Sequence, residues 1–199
     1  PDRRQRQMCI RDRLISMDAE WGPAQRLSDV FAHPWNMTLG AIQDESLVRE
    51  ISKRMAEQNK ALGVHINFSP SVDVNNNSKN PIIGNRSFGE DPVNVYKKAK
   101  AYIQGHKDVG VYTSIKHFPG HGDTDKDSHK TLPVISGNMK RLNNIELFPF
   151  KRLIEDGLAE SVMLAHLSVP AIDKKYPSSL SYKTVDKLLR EEYLSLIHI

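Results

Sequence analysis

Cysteine is almost absent from this chain. The single Cys9 lies near the N-terminus, and no thiol occurs from residue 14 onward. That excludes disulfides and thiolate metal centres from the body of the protein. Long apolar runs are missing as well, so no segment reads as a membrane span. There is no low-complexity tract. Charge of one sign is also scarce once position is considered. The formal net charge is +4, but residues 1–13 hold five arginines against two aspartates, and the remainder is close to neutral. A near-neutral surface gives no electrostatic footprint for nucleic acid.

The two ends differ from the rest. Residues 3–12 are what CGT CGG CAG CGT CAG ATG TGT ATA AGA GAC encodes, and residues 194–199 are what CTG TCT CTT ATA CAC ATC encodes. These DNA strings resemble a transposon-end sequencing adapter and its reverse complement. The expectation is that 1–13 and 194–199 are adapter-derived and that 14–193 is part of a longer bacterial gene product. Such segments are excluded from fold reasoning, and the compartment, cytoplasm or periplasm, stays open.

What is present is a regular alternation. Leu14 to Asp18 reads as a short buried strand. Asp44 to Leu62 has apolar residues Leu47, Val48, Ile51, Met55 and Leu62 at helical spacing, with Gly63 as a C-terminal cap. Val64 to Phe68 is the next strand. Asp91-Pro92 opens a helix as N-cap and first helical residue, with Val95, Ala99, Tyr102 and Ile103 on one face. Val111 to Ile115 is a strand, Pro149 to Ile154 a helix, Ser161 to Leu167 a strand, and Thr184 to Tyr193 a further helix. Gly63, Gly110 and Gly157 each separate a helix from a strand. This order predicts a parallel sheet with right-handed crossovers. No glycine-rich phosphate turn is present, which favours a barrel over a doubly wound sheet. A full (β/α)8 barrel takes about 250 residues, so the expected fold is a partial TIM barrel with roughly half the strands.

Long polar loops follow the strands, at 19–43, 69–90, 117–146 and 168–181, and in such barrels those loops build the active site. Asp18 and Glu20, Asp73 with Asn75 to Asn77, Lys116 with His117, and His166 mark the strand ends. Arg86 lies in the second loop. Asp18 and Glu20 also have a purely structural reading, as ion-pair partners of Arg26 or Arg86. Asn75 to Asn77 reads as turn chemistry, since asparagine tolerates left-handed backbone. The densest segment runs from Lys116 to His129, with three histidines and three aspartates in fourteen residues. Within it, Asp127-Ser128-His129 can orient an imidazole and favour its protonated form, leaving the other ring nitrogen to give and take a proton.

Lys116-His117-Phe118-Pro119-Gly120-His121-Gly122-Asp123, then Asp127-Ser128-His129 and Leu132-Pro133, resembles the signature of glycoside hydrolase family 3, and more narrowly its β-N-acetylglucosaminidase branch. Asn67 to Val74 and Gly84 to Pro92 match the same family, so the resemblance covers nearly all of 14–193. It implies a (β/α)8 barrel and retaining cleavage of β-linked N-acetylglucosamine through a covalent glycosyl-aspartate, with no cofactor. By that resemblance His129 is the acid/base and Asp127 its partner, in place of the second carboxylic acid of most glycosidases. Asp18, Arg86, Lys116 and His117 match the positions that hold the non-reducing-end sugar. The implied partner is a carbohydrate, an N-acetylglucosaminide of peptidoglycan or similar origin. Two features depart from the pattern. The family usually reads Asp-x-Glu-Gly-Gly-Arg where this chain reads Asp18-Ala19-Glu20-Trp21-Gly22-Pro23. The family's nucleophilic aspartate is expected beyond residue 193.

Other readings compete. Within the family these are a β-glucosidase or a glycoside phosphorylase. Outside it, His117, His121, Asp123 and His129 suit a divalent metal and a metal-dependent hydrolase, although Pro119, Gly120 and Gly122 oppose a helical His-x-x-x-His pair. A non-catalytic sugar-binding fragment is the last alternative.

Overall fold

The computed structural model describes residues 13–126 and 131–193. Its strands are β1 (Ser16–Met17), β2 (Ile66–Asn67), β3 (Tyr112–Thr113), β4 (Ile115–Phe118) and β5 (Val162–Leu164). Its helices are α1 (Asn36–Ala41), α2 (Glu45–Ala61), α3 (Pro92–Lys107), α4 (Met139–Asn144), α5 (Phe148–Glu155) and α6 (Lys183–Glu192). All the strand pairs are parallel: β1 with β2, β2 with β3, and β4 with β5. Only Ser114 separates β3 from β4, so one run of chain carries the sheet from β2 on one side to β5 on the other. Each new strand is laid beside its predecessor and the order never reverses among the described residues. A doubly wound sheet needs such a reversal; a (β/α)8 barrel does not. The fold is a partial TIM barrel.

The helix boundaries follow from local chemistry. Asp44 accepts the backbone N–H of Ser46 ahead of α2, and Asp91 that of Asn94 ahead of α3, where Pro92 stands first. Gly63, Gly110 and Gly157 take positive φ just past α2, α3 and α5, which a side chain would resist. The core joins the inner faces of α2 and α3 to the sheet: Val48, Met55, Val95, Ala99, Tyr102, Ile103, Ile115 and Phe118 are all buried. α2 and α3 cross closely because Gly105 has no side chain; a Cβ there would lie 2.4 Å from the carbonyl oxygen of Arg49. No helix among the described residues is long and apolar enough to cross a membrane.

Several expectations are corrected. The first strand is not buried: Leu14 is 65% and Ile15 40% exposed, because β1 pairs on one side only among the described residues. Leu47 and Leu62 point outward from α2, beyond the width of its buried stripe. Tyr112 is exposed, and the third strand does not stop at Ile115 but continues through Phe118. The short helices α1 and α4 arise in segments that read as loop; neither is long enough to show a hydrophobic period. α6 is wound as a π-helix, closed by Tyr193 N–H donating to the Leu188 carbonyl.

Candidate active site

Asp18 follows β1 directly, and the alternation of an extended chain sends Asp18 and Glu20 to the same side. The intervening Ala19 is clamped: its N–H donates to Asn67 Oδ1 and its carbonyl accepts from Asn67 Nδ2, both at 3.0 Å. That reciprocal pair ties the end of β1 to β2. Lys116 comes from β4. Its ammonium, almost wholly buried, sits 2.9 Å from Asp18 Oδ1 and 2.8 Å from Glu20 Oε1. Arg86, from the tight turn Gly84–Arg86, grips Glu20 with two prongs, Nη2 to Oε1 at 2.7 Å and Nε to Oε2 at 3.1 Å. Arg26 adds a bond from Nη2 to Asp18 Oδ2 at 2.9 Å. The ion pairs expected on structural grounds therefore both form, and Lys116 joins them into one network.

Strict alternation would send Lys116 and His117 to opposite faces of β4. The ladder with β5 is irregular between Lys116 and Phe118, so both side chains reach the same cleft. His117 rests on Asp73, which is fully buried. Asp73 accepts from His117 Nδ1 at 2.6 Å, from the backbone N–H of His117 and of His121, and from Ser71 Oγ at 2.8 Å. An Arg86 Nη2–H is aimed at His117 Nε2, 3.3 Å away. The other ring nitrogen, Nδ1, therefore carries the proton given to Asp73.

The carboxylates are held ionised. Burial by itself pushes Asp73 upward, but the hydrogen bonds it accepts from His117 and from the His121 N–H outweigh it, and the carboxyl sits well below the usual range. Burial likewise pushes Asp18 and Glu20 upward. Lys116 and Arg26 bring Asp18 below its ordinary value, and Arg86 and Lys116 do the same for Glu20. Burial works against the Arg86 charge too, and Glu20 more than restores it.

Asp18, Glu20, Arg86, Lys116, His117 and His166 line one cleft of about 720 Å³ at the C-terminal ends of the strands. Trp21, Trp35 and Phe68 share its wall. Of the residues singled out from sequence, Asp18, Arg86, Lys116 and His117 are brought together. Asp127 and His129 lie outside the described residues. Asp73 has a larger part than its place beside Asn75 to Asn77 suggests; its signal in the sequence is a lone acid inside the Ser-Pro-Ser-Val-Asp-Val run. Asn75 to Asn77 do not use left-handed backbone; the turn is made instead by Asn77 Oδ1 accepting the Lys79 N–H at 3.0 Å. The described members of the metal set, His117, His121 and Asp123, do not form a metal site, and His129 lies outside the described residues. Asp123 pairs with Arg141 at 2.8 Å, His121 Nδ1 meets Thr124 Oγ1 at 2.8 Å, and the described residues hold no group of three ligands able to take an ion.

Residues 3–193 match the family described as Glycosyl hydrolase family 3 N terminal domain. A Beta-hexosaminidase A of Pseudoalteromonas piscicida is 34% identical over 195 residues, which is 90% of this chain and 33% of that protein. A Beta-hexosaminidase of Nitrosomonas eutropha is 37% identical over 186 residues, 90% of this chain and 53% of that protein. The solved structure of a glycoside hydrolase family 3 β-N-acetylglucosaminidase from Paenibacillus sp. str. FPU-7 matches with a TM-score of 0.86 and 42% identity, over 90% of this chain and 34% of that one. The chain thus spans from a third to about half of the curated relatives' length.

Proposed function

The chain belongs to glycosyl hydrolase family 3 as its N-terminal domain, and from that premise we propose that the protein containing it removes terminal β-linked N-acetylglucosamine with retention of configuration. The observation that carries this is the convergence of Asp18, Lys116, Arg86 and His117 in one cleft. One carboxylate acceptor, Asp18, beside two cationic donors, Lys116 and Arg86, fixed by mutual bonds, offers the array that sugar hydroxyls and an amide require. The names of the hexosaminidase relatives support the same sugar.

In this reading Asp18 accepts from sugar hydroxyls while Lys116 and Arg86 donate, and none has to reorganise when the substrate arrives. His117 is held in place by Asp73 and adds its exposed edge. His129, oriented by Asp127, protonates the leaving oxygen and later takes a proton from water. The nucleophile is assigned to neither described acid of the cleft wall, because Asp18 is engaged by Lys116 and Arg26, and Glu20 by Lys116 and Arg86. It is placed beyond residue 193. Peptidoglycan-derived fragments are the substrate class that fits an N-acetylglucosaminide of bacterial origin.

The test is hydrolysis of aryl β-N-acetylglucosaminides against aryl β-glucosides by the complete parent protein, with and without inorganic phosphate. Selective release from the N-acetylated substrate, independent of phosphate, is expected. Cleavage of glucosides alone, or strict dependence on phosphate, defeats the assignment.

A further inference from the structure

Arg141 belongs to the short helix α4, where its backbone N–H is taken by the cap residue Asn138 at 2.9 Å. The buried Leu142 beside it seats that helix on the core. The Arg141 side chain runs back over Gly137, where a Cβ would come within 2.9 Å of Nη1. Its guanidinium then divides between two acids. Nη1 meets Asp123 Oδ2 and Nη2 meets Glu146 Oε1, each at 2.8 Å. The two acids come from opposite ends of the long loop after β4. Glu146, between α4 and α5, is only 1% exposed. Its stem packs on Gly120, where a Cβ would lie 2.8 Å from that of Glu146, and the Gly120 N–H donates to the His117 carbonyl at 2.8 Å. Burial holds the Glu146 carboxyl above its ordinary value, against the pull of its own backbone N–H and of Arg141.

We propose that Arg141 is a positioning residue for the reaction: by clamping Asp123 to Glu146 it fixes the base of the segment that carries Asp127 and His129. A planar guanidinium holds two carboxylates through two terminal nitrogens in one set geometry, which a single ammonium does not reproduce. Asp127 follows Asp123 by four positions, a length of chain that reaches at most about 14 Å. Freedom at Asp123 therefore passes directly to Asp127. Proton transfer is sensitive to such displacement, because donor and acceptor must come within hydrogen-bond reach. Arg141 does not line the cleft, and Asp18, Arg86 and Lys116 are held there by other elements. Opening the clamp acts on the proton step and leaves the grip on the sugar. The inference rests on the glycoside-cleaving reading above and adds to it a residue outside the cleft wall.

The experiment uses the complete parent protein with Asp123→Ala, Arg141→Met and the two together. Arg141→Met strands the buried Glu146 carboxylate and so endangers the fold. Asp123→Ala releases only the start of the loop and leaves Glu146 paired, so it tests the clamp even where the methionine variant does not fold. Two substrates are compared: methyl β-N-acetylglucosaminide, whose leaving group needs a proton, and the dinitrophenyl glycoside, whose leaving group does not. On the methyl glycoside kcat/KM falls by about ten- to a hundredfold, the scale that a misplacement of roughly an ångström produces. The dinitrophenyl glycoside loses much less, and inhibition by free N-acetylglucosamine is unchanged. The double variant loses no more than Arg141→Met, because both substitutions break one link. Equal losses on both substrates, no loss on either, weakened inhibition or additive losses overturn the clamp. If the unsubstituted protein cleaves neither substrate, the activity reading fails, and amide hydrogen exchange decides the clamp by itself. Faster exchange confined to residues 121–137 in Asp123→Ala supports it; unchanged exchange overturns it.

Discussion

Asp73 carries more structure than any other single residue near the cleft. A fully buried carboxylate that accepts from one ring, two backbone N–H groups and a hydroxyl is a fixed anchor for β4 and the loop after it. Asp73→Asn removes the charge and presents an N–H to groups that are themselves donors. Breaking a buried pair of this kind costs about 3–5 kcal/mol. Urea unfolding of the parent protein reads that loss, and glycosidase activity should fall with it, because His117 loses its orientation. His129→Ala acts differently. Substrates with poor leaving groups should lose about 10² to 10⁴ in rate, the usual contribution of general acid catalysis, and activated aryl substrates much less. A small, equal loss on both removes His129 from the acid role.

His106 of α3 supplies a pH prediction. Its ring is fully buried, with Nδ1 bonded to Ser52 Oγ at 2.8 Å and Nε2 facing Asn67 Nδ2 at 3.0 Å. The asparagine N–H donates to Nε2, so a proton on that nitrogen has no place. Burial pushes the imidazole down to about 4 from an unfolded value of 6.5, against a small opposing pull from the Tyr102 carbonyl. Between these values the unfolded chain binds the proton and the folded chain does not. Stability from this ring is therefore complete above pH 6.5 and is lost as pH falls toward 4. The loss amounts to roughly 3 kcal/mol at about 1.4 kcal/mol per pKa unit. Melting curves of the parent protein across that window should show the decline, and His106→Gln should flatten it.

Among the elements, the α2–α3 pair sets the position of everything on β2 and β4. Its close crossing at Gly105 leaves no room for a methyl group, since a Cβ would stand 2.4 Å from the Arg49 oxygen and 2.7 Å from the Lys53 nitrogen. Gly105→Ala should destabilise by about 1–3 kcal/mol, against the gain expected of alanine in an open helix. Denaturant midpoints with an unchanged m-value would show it. Elements with a long period or a strong cap were legible in the sequence: α2 came with its apolar stripe and terminal glycine, and α3 with its N-cap as well. Elements without these signals were not. The six-residue α1 and α4 are fixed by what they pack on, and the outward turn of Leu47 and Leu62 depends on how wide a stripe α3 covers.

At the scale of the whole molecule, the sheet has an unpaired side at β1 and another at β5 among the described residues. Open parallel edges with exposed Leu14 and Ile15 beside them favour association. Expressed alone, the 199-residue chain is expected to be inactive and to elute as aggregates in size-exclusion chromatography. A monomeric, cooperatively melting chain that turns over any glycoside would refute this and the placement of the nucleophile beyond residue 193.

The sequence by itself determined the class of fold, since strand-helix alternation with capped helices leaves few parallel architectures. It also determined which residue types were available for chemistry, because Lys116-His117 and its neighbours form one contiguous signature. Only the tertiary structure decided how they meet. Asp18 and Lys116 lie 98 positions apart in the chain, yet they bond at 2.9 Å because consecutive parallel strands bring their C-terminal ends to one side. The depth of Asp73 beneath His117, the shared use of Glu20 by Lys116 and Arg86, and the stacking of Trp21 on Trp35 are contacts between elements. No local spacing encodes them, because each depends on where a different strand or loop ends.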